Sequence, residues 1–147
     1  MREQQEKHEG MIPAISLWQP WAQWVALGWK PIETRTHRRF LPLLGKEICI
    51  HAARKWDMKA LSIAKKYLTE HQVNQTILMD ELEPSIVGTA RVYYMGELDE
   101  HDSQYALCDC SVPGLWGLYL SAIKKFEKPI PCKGHQGIFY VSKEVIR

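Results

Sequence analysis

Residues 16–36 read Ser-Leu-Trp-Gln-Pro-Trp-Ala-Gln-Trp-Val-Ala-Leu-Gly-Trp-Lys-Pro-Ile-Glu-Thr-Arg-Thr. This stretch lays out, by its periodicity, a strand, a turn, a helix and a second strand. It opens on the end of a short apolar strand, Ile12 to Leu17, and turns at Gln19-Pro20. Proline is at home in a first helical turn, because its missing N–H would have no partner there. Trp21, Trp24, Val25 and Leu27 then recur at helical spacing until Gly28, whose tolerance of a left-handed backbone suits a helix end. Ile32 to Thr36 alternates, with Glu33 and Arg35 on one face of a strand and Ile32 and Thr34 on the other. A strand, a short helix and a second strand therefore fit into about 25 residues.

Beyond this run, Pro42 and Gly45 mark a turn, and Glu47 to Ala52 gives a third strand that carries His51 near its end. Cys49 alternates there with Ile48 and Ile50 and reads as core. Asp57 is placed to cap a helix carrying Ala60, Leu61, Ala64 and Leu68, which fades into a polar stretch around His71 to Thr76. Ile86 to Met95 is strand-like around Gly88, and an acidic loop follows from Glu97 to Asp102. Leu115 to Phe126 is strand-like, Pro129-Ile130-Pro131 an extended edge, 133–137 a loop, and Ile138 to Val141 a closing strand. Five or six short strands with two main helices predict an α+β domain built as a small mixed barrel.

The chain has 147 residues, of which 46% are hydrophobic and 24% charged. Such usage excludes a disordered or collagen-like chain and is enough for one core without disulfides or metal. We expect a flexible tail over residues 1–11 and a single domain over 12–147. The net charge of +2 conceals a segregation. Residues 28–66 hold ten basic groups against three acids, whereas 67–110 hold one against nine, and 111–147 hold six against two. Asymmetry of this kind suggests a directed surface for a phosphate-bearing partner, unless folding interleaves the segments and evens out the field.

The polar start has no apolar secretory core, and no stretch nears the roughly 18 apolar residues of a membrane span. A reduced, cytoplasmic protein with no membrane contact is expected. Cys108-x-Cys110 with Cys132-x-x-His135 has some likeness to a zinc set, but its first pair is spaced too closely, so buried thiols are the expected reading and no metal is assigned. No cofactor is expected either.

Gly28-x-Lys30-x-x-Glu33-x-Arg35, together with the run before it, resembles the signature of the ASCH domain, the family named for homology to the activating signal cointegrator. Later pieces agree in order: Ile48 to Lys55 (ICIHAARK), Ile86 to Val92 (IVGTARV), Gly114 to Leu120 (GLWGLYL) and Pro129 to Phe139 (PIPCKGHQGIF). The resemblance implies a PUA-like pseudo-barrel of five or six mostly antiparallel strands with flanking helices and a cleft. It implies that Lys30, Glu33 and Arg35 lie in that cleft and that the partner is RNA, another nucleic acid or a nucleoside-like ligand. Some relatives hydrolyse acylated cytidine-type nucleosides or RNA. The amidohydrolase members pair the motif lysine with a threonine and a glutamate, and the matching threonine position here is Glu33.

Each reading has its chemistry. Lys30, Arg35, Arg38, Arg39, Arg54, Lys55 and Lys133 would neutralise phosphates. Trp18, Trp21 or Trp29 would stack on a base, unless they are core as Trp24 should be. Gln19 and His51 complete the binding set, with Gln19 reading a base edge and Glu33 orienting Arg35 or accepting from a base amino group. For hydrolysis, Lys30 with a pKa lowered by nearby Arg35 would act as base or nucleophile and Glu33 would shuttle protons, helped by an acid from the 97–102 loop. His37, His51 and His101 are acid–base candidates for RNA cleavage. A third reading makes the acidic 97–109 segment a contact for a basic protein partner.

Overall fold

The computed structural model describes residues 8–146. Six strands form one mixed sheet: β1 (Met11–Gln19), β2 (Ile32–Arg35), β3 (Glu47–Trp56), β4 (Ser85–Glu97), β5 (Trp116–Pro131) and β6 (Phe139–Ser142). Their order is β2-β5-β4-β3-β1-β6. Only β1 and β3 run parallel; the other four pairings are antiparallel. The two outer edges, β2 and β6, do not pair, so the α+β expectation is met by an open, strongly bulged sheet. Among the described residues four helices flank it: α1 (Trp21–Ala26), α2 (Ala60–Ala64), α3 (Glu70–Ile77) and α4 (Ser103–Ala106). No helix among the described residues is long and apolar enough to cross a membrane.

Alternation explains β1. Ile15 and Leu17 point into the main core with Ile48, Ile50, Val92 and Leu118, while Ile12 and Ala14 join a second cluster with Cys49, Ile86, Phe139 and Val141. Past Ala14 the second face leaves that cluster and presents Ser16 and Trp18 to a cleft. Helix α1 closes the main core with Ala22, Val25 and Ala26, while Trp24 turns to a third cluster with Ala60, Ala64 and Leu107. Gly28 ends this turn at φ +79°, a left-handed backbone that glycine adopts without a Cβ clash. The Gln19–Pro20 peptide bond is cis.

Three sequence expectations change. The stretch around His71–Thr76 is a helix, not a fading tail. Thr69 accepts from the Gln72 N–H while the Gln72 side chain accepts from the Thr69 N–H, so both free donors at the helix start are satisfied. The fully buried Trp24 indole donates to Thr76 Oγ1 at 2.9 Å and holds α3 to α1. Secondly, Leu115–Phe126 and the Pro129–Pro131 edge are one strand, β5, which bends where its register with β4 shifts. Thirdly, Asp57 is not the residue that caps α2. It lies three residues before that helix, where one carboxylate oxygen accepts from the Lys59 N–H and the other from the Trp21 indole at 2.8 Å.

Of the expected tail, residues 1–7 lie outside the described residues. Residues 8–10 form a turn, His8 stacks on Tyr140, and Met11 already pairs with Ser142.

Candidate functional site

The motif residues sit where β2 leaves the turn after α1. Lys30 is buried, and its Nζ donates to the carbonyls of Ile32 at 2.8 Å and Ala106 at 2.6 Å. It also lies 3.7 Å from Glu33 Oε1 and 5.2 Å from the centre of the Trp21 ring. Burial drives its pKa down and the Glu33 charge pulls it back up; Arg35, to which the sequence reading assigns the lowering, is the smallest influence. Glu33 is equally committed. Its Oε1 accepts from the Thr34 N–H at 3.0 Å and its Oε2 from Arg35 Nη2 at 3.1 Å. Arg35, lying over the Phe40 ring at 4.8 Å, is thereby held in place rather than free in solvent.

Two lobes open beside this cluster. The smaller, about 490 Å³, is lined by Leu17, Trp21, Lys30, Glu33, Thr34 and Ile63 among others. The larger, about 800 Å³, is walled on one side by Arg35, Arg39 and Arg54 and on the other by Lys133 and the loop to Ile138. Ser16, Trp18 and Arg35 line both lobes and so form the divide between them. Trp18 is 48% exposed, with Lys55 Nζ 4.0 Å above its ring. No Asp or Glu lines the larger lobe among the described residues.

Most of the residues expected from sequence are thus brought together: Trp18, Trp21, Lys30, Glu33, Arg35, Arg39, His51, Arg54 and Lys133 line one lobe or both. Three are not. Gln19 is completely buried and lines neither lobe, because by strand alternation it shares the inward face of Leu17. Arg38 lies over the Trp116 ring at 4.5 Å, and Lys55 reaches the site only through Trp18. Sequence reading missed Ser16, Phe40, Gly134 and the binding position of His135, all of which line the larger lobe.

The sheet architecture has counterparts among solved structures. The ASCH protein of Zymomonas mobilis matches at a TM-score of 0.58 and 18% identity, over 91% of this chain and 90% of that one. The fold is that of an ASCH domain. Crystal structures of a Tyr-to-Phe and a Ser-to-Ala variant of the same Zymomonas mobilis protein match at TM-scores of 0.54 and 0.55, each at 18% identity and over 91% of this chain and at least 90% of those chains. No protein-family model matches the sequence, and no curated protein sequence does.

Within this ASCH fold the acidic segment is turned away from the cleft. None of Glu97, Asp99, Glu100 and Asp102 lines either lobe; Cys108 alone of residues 97–109 does. Asp99 and Asp102 cap the turn that leads into α4, and Asp102 accepts from the Tyr119 hydroxyl at 2.9 Å. The segment packs Leu98 and Ala106 against Ile32 and so props up the motif strand. Among the described residues no three His, Cys, Asp or Glu side chains converge as a metal-binding group. Burial pushes the Cys110 thiol up to about 12, so it stays protonated.

Proposed function

We propose that this chain is a single ASCH domain over residues 12–147 that binds single-stranded RNA or a nucleotide-like ligand in the two-lobed cleft. The observation that carries this reading is the lining of the larger lobe: Arg35, Arg39, Arg54 and Lys133 face it, with no carboxylate among the described lining residues. Such a wall attracts phosphate and repels cations. Trp18 stands at the divide as a half-exposed platform for a base, its ring flanked by Lys55. The smaller, more apolar lobe is then the place for the base itself, and the Glu33-held Arg35 spans the two. A pocket of this kind suits an unpaired base and not a duplex, whose bases are stacked away.

Support comes also from where the charge falls. The basic excess of residues 28–66 supplies Arg35, Arg39 and Arg54, and no acidic side chain of residues 67–110 lines either lobe. Fluorescence-anisotropy titration of single-stranded RNA at low salt tests the proposal, with Trp18→Ala and Arg54→Ala beside the parent chain. Micromolar or tighter binding that weakens in both variants is expected. Equal binding in all three would overturn it.

Hydrolysis through Lys30 and Glu33 has less support. Two Lys30 protons are given to backbone carbonyls, and Glu33 already accepts from Thr34 and Arg35.

A further inference from the structure

In the larger lobe a hydroxyl, an imidazole and a carbonyl stand in line. Ser16 and His51 are direct neighbours in the parallel β1–β3 register, so their side chains leave the sheet on the same face. Ser16 Oγ lies 2.9 Å from His51 Nδ1, and His51 Nε2 lies 2.6 Å from the carbonyl oxygen of Cys132. A carbonyl only accepts, so the ring proton sits on Nε2 and Nδ1 carries the lone pair. The Ser16 hydroxyl must therefore donate to Nδ1, the arrangement an activated serine needs: nucleophile to base, base to an orienting acceptor.

Two further features suit chemistry at this point. Ser16 is partly exposed, lines both lobes, and is the only hydroxyl or thiol residue among the described lining of the larger one. Gly134 presses against the pair from the opposite wall. A Cβ there would come within 2.8 Å of His51 Nδ1 and 3.2 Å of Ser16 Oγ, so a side chain at this position would crowd the space in front of the hydroxyl. Burial, the largest influence on His51, lowers its pKa and keeps the imidazole neutral, as a base must be.

We infer that Ser16 and His51 form a nucleophile–base pair that hydrolyses a carboxylic ester whose alcohol part carries a phosphate. Ser16 Oγ bonds to the ester carbonyl carbon as its proton passes to Nδ1. The C–O bond to the alcohol breaks and the leaving oxygen takes that proton. Water then attacks the acyl-serine, giving one proton through Nδ1 back to Ser16 Oγ and releasing the carboxylic acid. Nε2 keeps its proton and donates it in a hydrogen bond to the Cys132 carbonyl throughout, steadying the transient imidazolium. The phosphate requirement rests on the cleft reading above, whereas the nucleophile does not.

The test separates the two. The full chain is treated with a fluorophosphonate probe and followed by intact mass and peptide mapping. One adduct on Ser16 is expected, absent from Ser16→Ala, slowed by about 100-fold or more in His51→Gln, and unchanged in Ser62→Ala, whose serine is exposed on α2. Absence of a Ser16 adduct, or equal labelling of Ser16→Ala, overturns the nucleophile; because Ser16→Ala removes one partly exposed oxygen, it keeps the test open even if His51→Gln does not fold. Acetyl esters with and without a phosphate on the alcohol part are then compared. A kcat/KM about tenfold or more higher for the phosphorylated ester is expected, and equal values would overturn the substrate assignment alone. RNA titration on the same samples reports the cleft reading independently: lost labelling with intact RNA binding sinks only the Ser16–His51 pair.

Discussion

Lys30 Nζ donates to the carbonyl oxygen of Ala106 at 2.6 Å, across 76 residues of sequence. This one bond ties the start of the motif strand to helix α4, and with it the basic part of the chain to the acidic part. The charge segregation seen in the sequence is thus bridged at a buried point by a lysine that spends its protons on backbone oxygens.

Lys30 should accordingly behave as a strut. Lys30→Ala strands two buried carbonyls and leaves Glu33 with one cation fewer, a loss of about 3–5 kcal/mol by analogy with broken buried pairs. Urea denaturation measures it. A variant as stable as the parent chain, combined with a loss of cleft function, would instead point to a catalytic lysine.

The cleft cations should be countable by salt. Each phosphate contact on a single strand contributes a slope of about 0.7 in log affinity against log salt. Arg39, Arg54 and Lys133 have no carboxylate within 4.0 Å among the described residues, whereas Arg35 is paired with Glu33. Arg54→Ala and Lys133→Ala should each flatten the RNA slope by about 0.7. Trp18→Ala should cost about 1–3 kcal/mol of affinity and leave the slope unchanged, since it removes stacking and no charge. Anisotropy titrations at four salt concentrations decide this, and a slope unmoved by either cation would show that they do not touch phosphate.

How far these features can be read beforehand depends on whether they are local. The strand, helix and strand of residues 16–36 are legible because periodicity and the Gly28 stop act over a few residues. Helix α3 is not, since its buried side is carried by a threonine, Thr76, amid polar neighbours; the Thr69-x-x-Gln72 capping pattern is the available signal. Gln19 reads as a ligand contact because it is polar and next to two tryptophans, although strict alternation from Ile15 and Leu17 sends it inward. Ser16 cannot be found at all from sequence. Its partner His51 lies 35 residues away and meets it only because β1 and β3 pair in parallel at that register.

His51 should leave a mark on acid stability. Burial lowers its pKa from the usual 6.5, with the Cys132 hydrogen bond opposing and His135 adding to the fall. Between the lowered folded value and 6.5 the unfolded chain binds more protons, so stability rises with pH across that window and is lost as pH falls below about 6.5. His37 shifts in the same direction, through desolvation first and then Arg39 and Arg35. Comparing His51→Gln with the parent chain from pH 7.5 to 5 isolates the His51 share: the variant should start less stable and lose less on acidification. Parallel pH profiles would show that His51 does not carry it.

Gly134 should be replaceable by no other residue without disturbing the hydrogen bonds of His51. Its backbone is not in a left-handed conformation, so alanine is allowed by φ; the obstacle is contact, with the new Cβ 2.5 Å from His51 Cε1. That ring cannot retreat, being held at Nδ1 by Ser16 and at Nε2 by Cys132. The loop must therefore shift outward, at a cost of about 1–3 kcal/mol for overpacking. Gly137 is the contrasting case, with φ +70° and nothing within 4 Å of the place an alanine methyl would take. Gly137→Ala should cost about 1–2 kcal/mol through backbone strain and leave the imidazole where it is. Denaturation cannot tell these two losses apart, but the 15N resonances of the His51 ring can. Gly134→Ala should displace them and Gly137→Ala should not, because only the first pushes on the hydrogen bonds that set which nitrogen holds the proton.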